Sequence, residues 1–314
     1  MIVTLTAHPS LDRTVELAAP LAVGEVQAAD AIREDAGGKG INVARVLATA
    51  GDDVRAVLPL DPTDPYGAAL GADIERIAVA IEGHARSNLT ITDPAGETTK
   101  INLPGPALGE RAIEALIAAV VDASAGADWL ALCGSLPPGA PDDLYVRVIR
   151  AVRERLDPAP RIAVDTSGAP LATIVEAGLP DLIKPNEIEL AELAGEAAPT
   201  GEGIANEVAR IARRLVPSRV AAALVTLGGD GAVLVDGDGA LHATIPPGVQ
   251  VRSTVGAGDS SLAGYLHADA AGSPRGERLA SAVRHGSATA ALPGTRLATP
   301  DDLPEGEIAL TDLR

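Results

Sequence analysis

Phenylalanine is absent from this 314-residue chain, and the aromatics reduce to Trp129, Tyr66, Tyr145 and Tyr265. A core without aromatic bulk must be built from Ala, Val, Leu and Ile, and the stacking platforms that hold single-stranded nucleic acid are missing. Cysteine occurs once, at Cys133, which excludes an internal disulfide framework and fits a reducing cytoplasm. No apolar run approaches the ~20 residues of a bilayer span. The opening MIVTLTAHPSLDR has no basic leader region and reaches an acid at Asp12, so it does not read as a signal peptide. These absences predict a soluble, cytoplasmic protein. Bases are scarce too: 25 Lys and Arg stand against 43 Asp and Glu, for a net charge of −18. Such a surface repels nucleic acid and anionic membrane, so neither is expected as a partner. An anionic small substrate would need cations placed locally for it.

What the chain does have is alternation. Ile2–Leu5, Val54–Leu58, Trp129–Leu132, Ile162–Val164, Leu182–Ile183 and Leu224–Leu227 are short apolar runs that predict strands. Between them, Ile113, Leu116, Ile117, Val120 and Val121 recur at helical spacing and define one apolar helix face. Leu144, Val148, Ile149, Val152 and Leu156 form a second stripe, and Val208, Ile211, Ala212 and Leu215 a third. The pattern predicts an α/β fold, a doubly wound and mainly parallel sheet with helices on both faces. Residues 12–35 and 86–103 break the rhythm. The second stretch reads SNLTIT, a DPAGE turn, then TTKINL, which is a hairpin signature. Polar-alternating strands do not suit a buried parallel sheet, so both stretches predict a small separate sheet, a lid over a cleft.

Four glycine-rich or capped segments could carry chemistry. In AGGKGINVAR, Gly37, Gly38 and Gly40 open a helix, where backbone N–H groups can approach an oxygen-rich ligand or simply make a tight turn. In STVGAGDSSLAGYL, Gly256, Ala257 and Gly258 form a nest of donors at a helix start, with Asp259 beside it as cap or base. In KPNEIEL, Asn186 and Glu189 share one face at i, i+3, able to organise water around Mg²⁺ or merely to start a helix. TLGGDG, Thr226–Gly231, ends a strand in a glycine turn. Cys133, in LCGSLPPG, reads as a small buried residue rather than a nucleophile. His8, His84, His242, His267 and His285 show no metal-ligand spacing. No G-x-S-x-G elbow, Walker loop or Rossmann G-x-G-x-x-G is present.

Taken in order, SLDRT, AGGKGINVAR, GSLPPG, DTSG, KPNEIE, TLGGDG and STVGAGDS resemble the ribokinase-like (PfkB) family of carbohydrate kinases. The match runs from about Thr4 to Thr299. TLTAHPSLDRTVEL, RSNLTIT with TTKIN, GAGDSS and the closing LPGTR are most similar to its bacterial 1-phosphofructokinase branch. The resemblance implies one ribokinase-like domain over residues 1–314, with the lid sheet inserted in the α/β core. It implies ATP and Mg²⁺ as cofactors, Asp259 as the base that deprotonates the acceptor hydroxyl, and Gly256, Ala257 and Gly258 as the anion hole. Phosphoryl transfer needs positioning and electrostatic stabilisation of this kind. Asp12, Gly37, Gly38 and Asn42 would bind the sugar. Lys184, Asn186, Thr226, Gly228 and Gly231 fall on the nucleotide side, and Asn186 with Glu189 on the Mg²⁺-organising motif, acting through water.

Lys39 inside the first glycine motif, with Arg86 and Lys100 on the lid hairpin, predicts that the substrate already carries a phosphate. The expected reaction is conversion of fructose 1-phosphate to fructose 1,6-bisphosphate. Phosphorylation of fructose 6-phosphate or tagatose 6-phosphate is the alternative within the family. A catalytically silent sugar-phosphate sensor is the rival from another class. His8-Pro9 stands where the family often has Asn-Pro, and Gln27 where it often has a basic residue. The lid also offers strand edges through which a homodimer could pair.

Overall fold

The apolar runs of the sequence become the centre of a ten-stranded sheet in the computed structural model, which describes residues 1–178 and 180–313. In chain order the first half contains β1 (Ile2–Thr6), β2 (Ser10–Leu17), β3 (Ala29–Gly37), α1 (Lys39–Thr49), β4 (Val54–Leu60), α2 (Tyr66–Leu70), β5 (Glu75–Ala80), β6 (Arg86–Thr92), β7 (Thr98–Asn102), α3 (Glu110–Ala123) and β8 (Trp129–Cys133). The second half adds α4 (Leu144–Arg155), β9 (Arg161–Asp165), α5 (Gly168–Ala177), β10 (Leu182–Ile183), α6 (Glu187–Ala194), α7 (Ile204–Ala212), β11 (Ala222–Thr226), β12 (Ala232–Asp236), β13 (Gly239–Ala243), α8 (Ala257–Ala270), α9 (Arg275–Ala290) and β14 (Leu310–Leu313).

The large sheet runs β14-β13-β12-β11-β10-β9-β8-β1-β4-β5. From β11 through β5 the pairs are parallel, whereas β11, β12, β13 and β14 pair antiparallel at one end. Side chains on these strands alternate between two cores. Val3, Leu5, Leu130 and Leu132 pack with Ile113, Leu144, Leu171, Leu190 and Val208 of α3 to α7. Ile2, Trp129 and Ala131 pack with Ile41, Tyr66, Leu262 and Leu279 of α1, α2, α8 and α9. Burial on both faces is why the central strands carry no polar alternation.

The antiparallel end and β5 depart from the sequence expectation for local reasons. β5 is an edge strand with mostly exposed residues, and β14 has only Leu310 and Leu313 as apolar content, so neither has a buried run to announce it. The third helical stripe overran its element: α7 ends at Ala212, and Leu215 is buried from the turn beyond it. Among the described residues no helix is long and apolar enough to cross a membrane.

A second, four-stranded sheet has the order β3-β2-β6-β7. β2 pairs antiparallel with β3 and parallel with β6, while β6 and β7 form the hairpin around the DPAGE turn. Register partners share a face. One face presents Asp35, Asp12, Asn88 and Asn102 in a row, then Arg33, Thr14, Thr90 and Lys100. The other presents Ile32, Val15 and Ile91, with Leu89 and Ile101 beside them; Ile32 is 64% exposed and Ile101 48%.

Candidate active site

The candidate residues gather beyond the carboxyl ends of the parallel strands, where open α/β sheets bind ligands. Gly38 and Gly40 let α1 start against β1. A Cβ at Gly38 would lie 2.7 Å from Thr6 Cγ2, and one at Gly40 2.4 Å from Thr6 Oγ1. Gly38 also has φ +126°, a conformation that side chains disfavour. The first glycine motif is therefore a steric requirement at a close approach, and it aims the opening turn of α1 at the ends of β8 and β9.

Lys39, the first residue of α1, donates from Nζ to Asp165 Oδ1 at 2.6 Å. Asp165 ends β9 fully buried, and the equally buried Lys184, just past β10, places its ammonium 3.3 Å from Oδ2. Burial pushes the Asp165 carboxyl up, but the two lysines more than offset it and hold it below the usual carboxylate range. Burial likewise works against the Lys39 charge, and Asp165 reverses that, leaving the ammonium above its ordinary range. A Cβ at Gly258 would sit 3.2 Å from Lys184 Nζ, so this cation lies beside the start of α8.

That helix start is built to receive a negative group. Gly256, at φ +76°, is its N-cap and supplies no side-chain cap. Among the described residues the amides of Gly258 and Asp259 donate to no protein acceptor, whereas Ala257 N–H reaches Thr254 O at 3.3 Å. Uncapped donors, the helix dipole and Lys184 together suit a bound anion. Asp259 is buried in the same first turn, and its Oδ2 accepts from Asn42 Nδ2 at 2.7 Å. Burial, with Asp165 nearby, raises the Asp259 carboxyl to about 6, although the lysines and Asn42 pull it down.

A cleft of about 510 Å³ runs from this point over the sheet, lined by Lys39, Lys184, Asn186, Glu189, Thr226, Gly228 and Gly231 with residues 256–259. Its far wall, Ile245, Val249, Val251, Val283 and Ala290, is apolar and suits a flat heteroaromatic ring. Asn186 and Glu189 form a capping box on α6: Asn186 Oδ1 accepts from the amides of Ile188 and Glu189, and Glu189 Oε2 accepts from Asn186 N–H. The helix-start reading of KPNEIEL is thus observed, and the same two residues line the cleft. Among the described residues no group of three or more His, Cys, Asp or Glu is placed to hold a metal. The donor set fits Mg²⁺ held chiefly by water and phosphate oxygens, with Glu189 Oε1 left outside the box. Gly231 allows β12 to leave close to β13, since a Cβ there would be 2.0 Å from Ala243 O.

Two of the residues expected on the sugar side, Asp12 and Gly37, lie at the root of the lid. Asp12 Oδ1 accepts from Asn88 Nδ2 at 2.8 Å, and Gly37 leaves room for its carboxylate, which a Cβ would meet at 2.2 Å. Burial raises the Asp12 carboxyl against the pull of Asn88. Arg86 opens β6 half-buried, with Nε unpartnered, and the buried His8 Nε2 is unpartnered as well. His8 is depressed to about 4 by burial and by Arg86, so its ring is neutral at pH 7. Its Nδ1 lies 3.5 Å from Ser135 Oγ.

Lys39, Arg86 and Lys100, expected together on one phosphate, occupy three different surroundings. Lys39 is committed to Asp165 at the cleft floor, Arg86 sits by His8 and Asp12, and Lys100 is exposed on β7 opposite Thr90. A lysine at a helix start reaches whichever buried acid the fold presents, which sequence spacing cannot reveal. Asn42, expected on the sugar, donates to Asp259 Oδ2. Gln27 staples its own loop, bonding Ala22 N–H and Pro20 O. Cys133 is fully buried, with its thiol pushed up by that burial. Two residues were read only as parts of motifs and given no role of their own: Asp165 opens DTSG, and Ser135 lies in GSLPPG.

The chain is similar to known proteins along nearly its whole length. Residues 9–305 match the model of the pfkB family carbohydrate kinases. The chain is 37% identical over 299 residues to a 1-phosphofructokinase of Rhodobacter capsulatus, covering 91% of this chain and 90% of that one. It is 33% identical to the ATP-dependent 6-phosphofructokinase isozyme 2 of Escherichia coli, over 96% of each chain. The crystal structure of Escherichia coli phosphofructokinase-2 with fructose-6-phosphate shares the fold at a TM-score of 0.81 and 30% identity, again over 96% of each chain. From a match along nearly its whole length and a common architecture, the chain belongs to the pfkB family of carbohydrate kinases.

Proposed function

We propose that the chain transfers a phosphoryl group from ATP to a hydroxyl of a fructose phosphate. The observation that carries this reading is Asp259: a buried carboxylate with its proton affinity raised to about 6, set in an uncapped helix start between a deep cleft and the polar root of the lid. MgATP, when bound, supplies the phosphoryl group and part of the charge neutralisation. Asp259 takes the proton of the acceptor hydroxyl, and Asn42 fixes its carboxylate so that one oxygen stays free. The open amides at residues 258 and 259 and the Lys184 ammonium stabilise negative charge that develops on the transferred group. Asp165 holds the Lys39 and Lys184 side chains in place without taking part in the proton transfer. A silent sensor has no use for a carboxylate buried at such cost at the mouth of an anion site.

Arg86, with Ser135 and the neutral His8, is the best-placed group to take the phosphate already on the sugar, while Asp12 and Asn88 bind hydroxyls. Fructose 6-phosphate is the better supported acceptor, through the likeness to an ATP-dependent 6-phosphofructokinase over 96% of both chains. Fructose 1-phosphate is the second reading, favoured by the 37% identity to a 1-phosphofructokinase. The furanose ring carries hydroxymethyl arms at both ends, so either sugar can put its phosphate at Arg86 and its free arm at Asp259. Both reactions give fructose 1,6-bisphosphate. ADP release measured on fructose 6-phosphate, fructose 1-phosphate, tagatose 6-phosphate and fructose separates these cases. Preference for either fructose phosphate supports the kinase reading, activity on fructose alone removes the Arg86 role, and no turnover on any of them overturns the reading.

The exposed Ile32 and Ile101 face of the lid is proposed to pair with a second copy of the chain, since a four-stranded sheet with one apolar face in water lacks a covering layer.

A further inference from the structure

The segment 292–298, between α9 and the last residues of the chain, touches both halves of the site. At its lid end Thr295 Oγ1 accepts from Arg33 Nη2 at 2.8 Å and donates to Asp35 Oδ2 at 2.9 Å. Arg33 Nε also donates to Asp35 Oδ2, at 2.9 Å, so the three groups close a ring on β3. Gly294 fits under that ring, because a Cβ there would lie 3.2 Å from Arg33 Nη2. Asp35 stands opposite Asp12 in the β2–β3 register, which puts the ring one strand from the proposed sugar ligand.

At its other end the segment rests on the anion site. Leu297 Cδ2 would be 2.6 Å from a Cβ at Gly256, the N-cap of α8. Ser253 Oγ donates to Gly294 O at 2.7 Å, tying the strand of chain that enters the GAG turn to the same segment. Ala298 N–H donates to Thr289 Oγ1, which also bonds Ser260 Oγ of α8 at 2.7 Å. The segment is thus fastened to the lid through Thr295 and meets the anion site at Gly256, with ties to Ser253 and, through Thr289, to Ser260 on either side of it.

We propose that Thr295 is a positioning residue that links the lid strand β3 to the anion site, so that binding of the sugar phosphate tightens the site for the nucleotide. The inference rests on the kinase reading above, in which residues 256–259 receive the transferred group. The Thr295 hydroxyl accepts from Arg33 and donates to Asp35 through one atom, which an aliphatic side chain cannot do. Exposed ion pairs of this sort contribute little to global stability, so the ring's effect is on where β3 sits relative to Gly256. Coupling of two ligands is reciprocal, which makes it measurable from either side.

The test is titration of a non-hydrolysable ATP analogue, with Mg²⁺, into the full-length protein with and without saturating fructose 6-phosphate or fructose 1-phosphate. In the parent chain the sugar phosphate is expected to tighten analogue binding by about 5-fold or more. Thr295→Val should bring that ratio close to one, with analogue affinity in the absence of sugar unchanged and melting within ~3 °C of the parent. Thr295→Ser should restore the ratio. Arg33→Gln, at the other side of the ring, should behave as Thr295→Val does and guards against a folding defect at residue 295. A Thr295→Val protein that keeps the parent ratio overturns the link, as does a parent chain that turns over but shows no coupling. A parent chain with no turnover on any sugar phosphate overturns the kinase reading instead.

Discussion

Asp165 at the end of β9 and Asp35 near the end of β3 both hold basic side chains, but Asp165 is fully buried whereas the Asp35 side chain is 36% exposed. In the cleft floor, low dielectric makes each charge strong and each unpaired charge costly, so Asp165, Lys39, Lys184 and Asp259 form one electrostatic unit in which Lys39, Asp165 and Asp259 have shifted proton affinities. In the lid, water screens the same kinds of pair to a few tenths of a kcal/mol up to about 1 kcal/mol. Chemistry is placed where charge is strong, and positioning is left to the region where charge is weak and the backbone can adjust. The two buried carboxylates also have opposite pH signs. Asp165, held low, stabilises the fold above the ordinary carboxylate range and loses that contribution as pH falls through its own value. Asp259, held high, favours the folded state at low pH and loses that contribution as pH rises through about 6.

The sharpest break of this contrast is Asp259→Asn, which should lower turnover by about 10²–10⁴ while nucleotide binding persists. Steady-state ADP release and calorimetric titration with the ATP analogue check both halves. The parent activity should fall on the acid side with a midpoint near pH 6, because the base must be deprotonated to act. Asp165→Asn should cost roughly 3–5 kcal/mol of folding stability, since it strands two lysines in the cleft floor; urea denaturation followed by circular dichroism measures it. On the lid side effects should be smaller. Arg86→Ala should raise KM for the sugar phosphate about 10–100-fold, the worth of one charge-assisted bond, with Lys100→Ala changing it far less. Ile101→Glu should leave the fold intact and shift a dimer toward monomer by an amount on the order of 1–3 kcal/mol per subunit, read by sedimentation velocity. A lid variant that destabilised the protein as much as Asp165→Asn would erase the distinction between the two regions.

Much of the fold was legible because doubly covered strands must be apolar throughout and their helices striped. The strands that end at Thr6, Cys133, Asp165 and Thr226 came from that rule. β5 and β14 stayed hidden because an edge strand buries too little to need a continuous apolar run. The lid hairpin was readable from its turn and its alternation, and its faces follow from register alone. In the site, the glycines of both motifs were visible, but the purpose of Gly38 and Gly40, clearance from Thr6, was not. Nor was the destination of Lys39, which spacing placed with Arg86 and the fold placed on Asp165.

By itself the sequence determined the class of fold, the separate lid and the set of motifs that carry the family, because periodicity, turn chemistry and motif order are local properties of a chain. Tertiary structure alone decided which charges meet. The pairing of Asp165 with Lys39, the hold of Asn42 on Asp259 and the bond from Arg33 to Thr295 join residues 126, 217 and 262 positions apart. Their strength depends on burial and on ångström-scale distance, and neither exists until the sheet has closed around them.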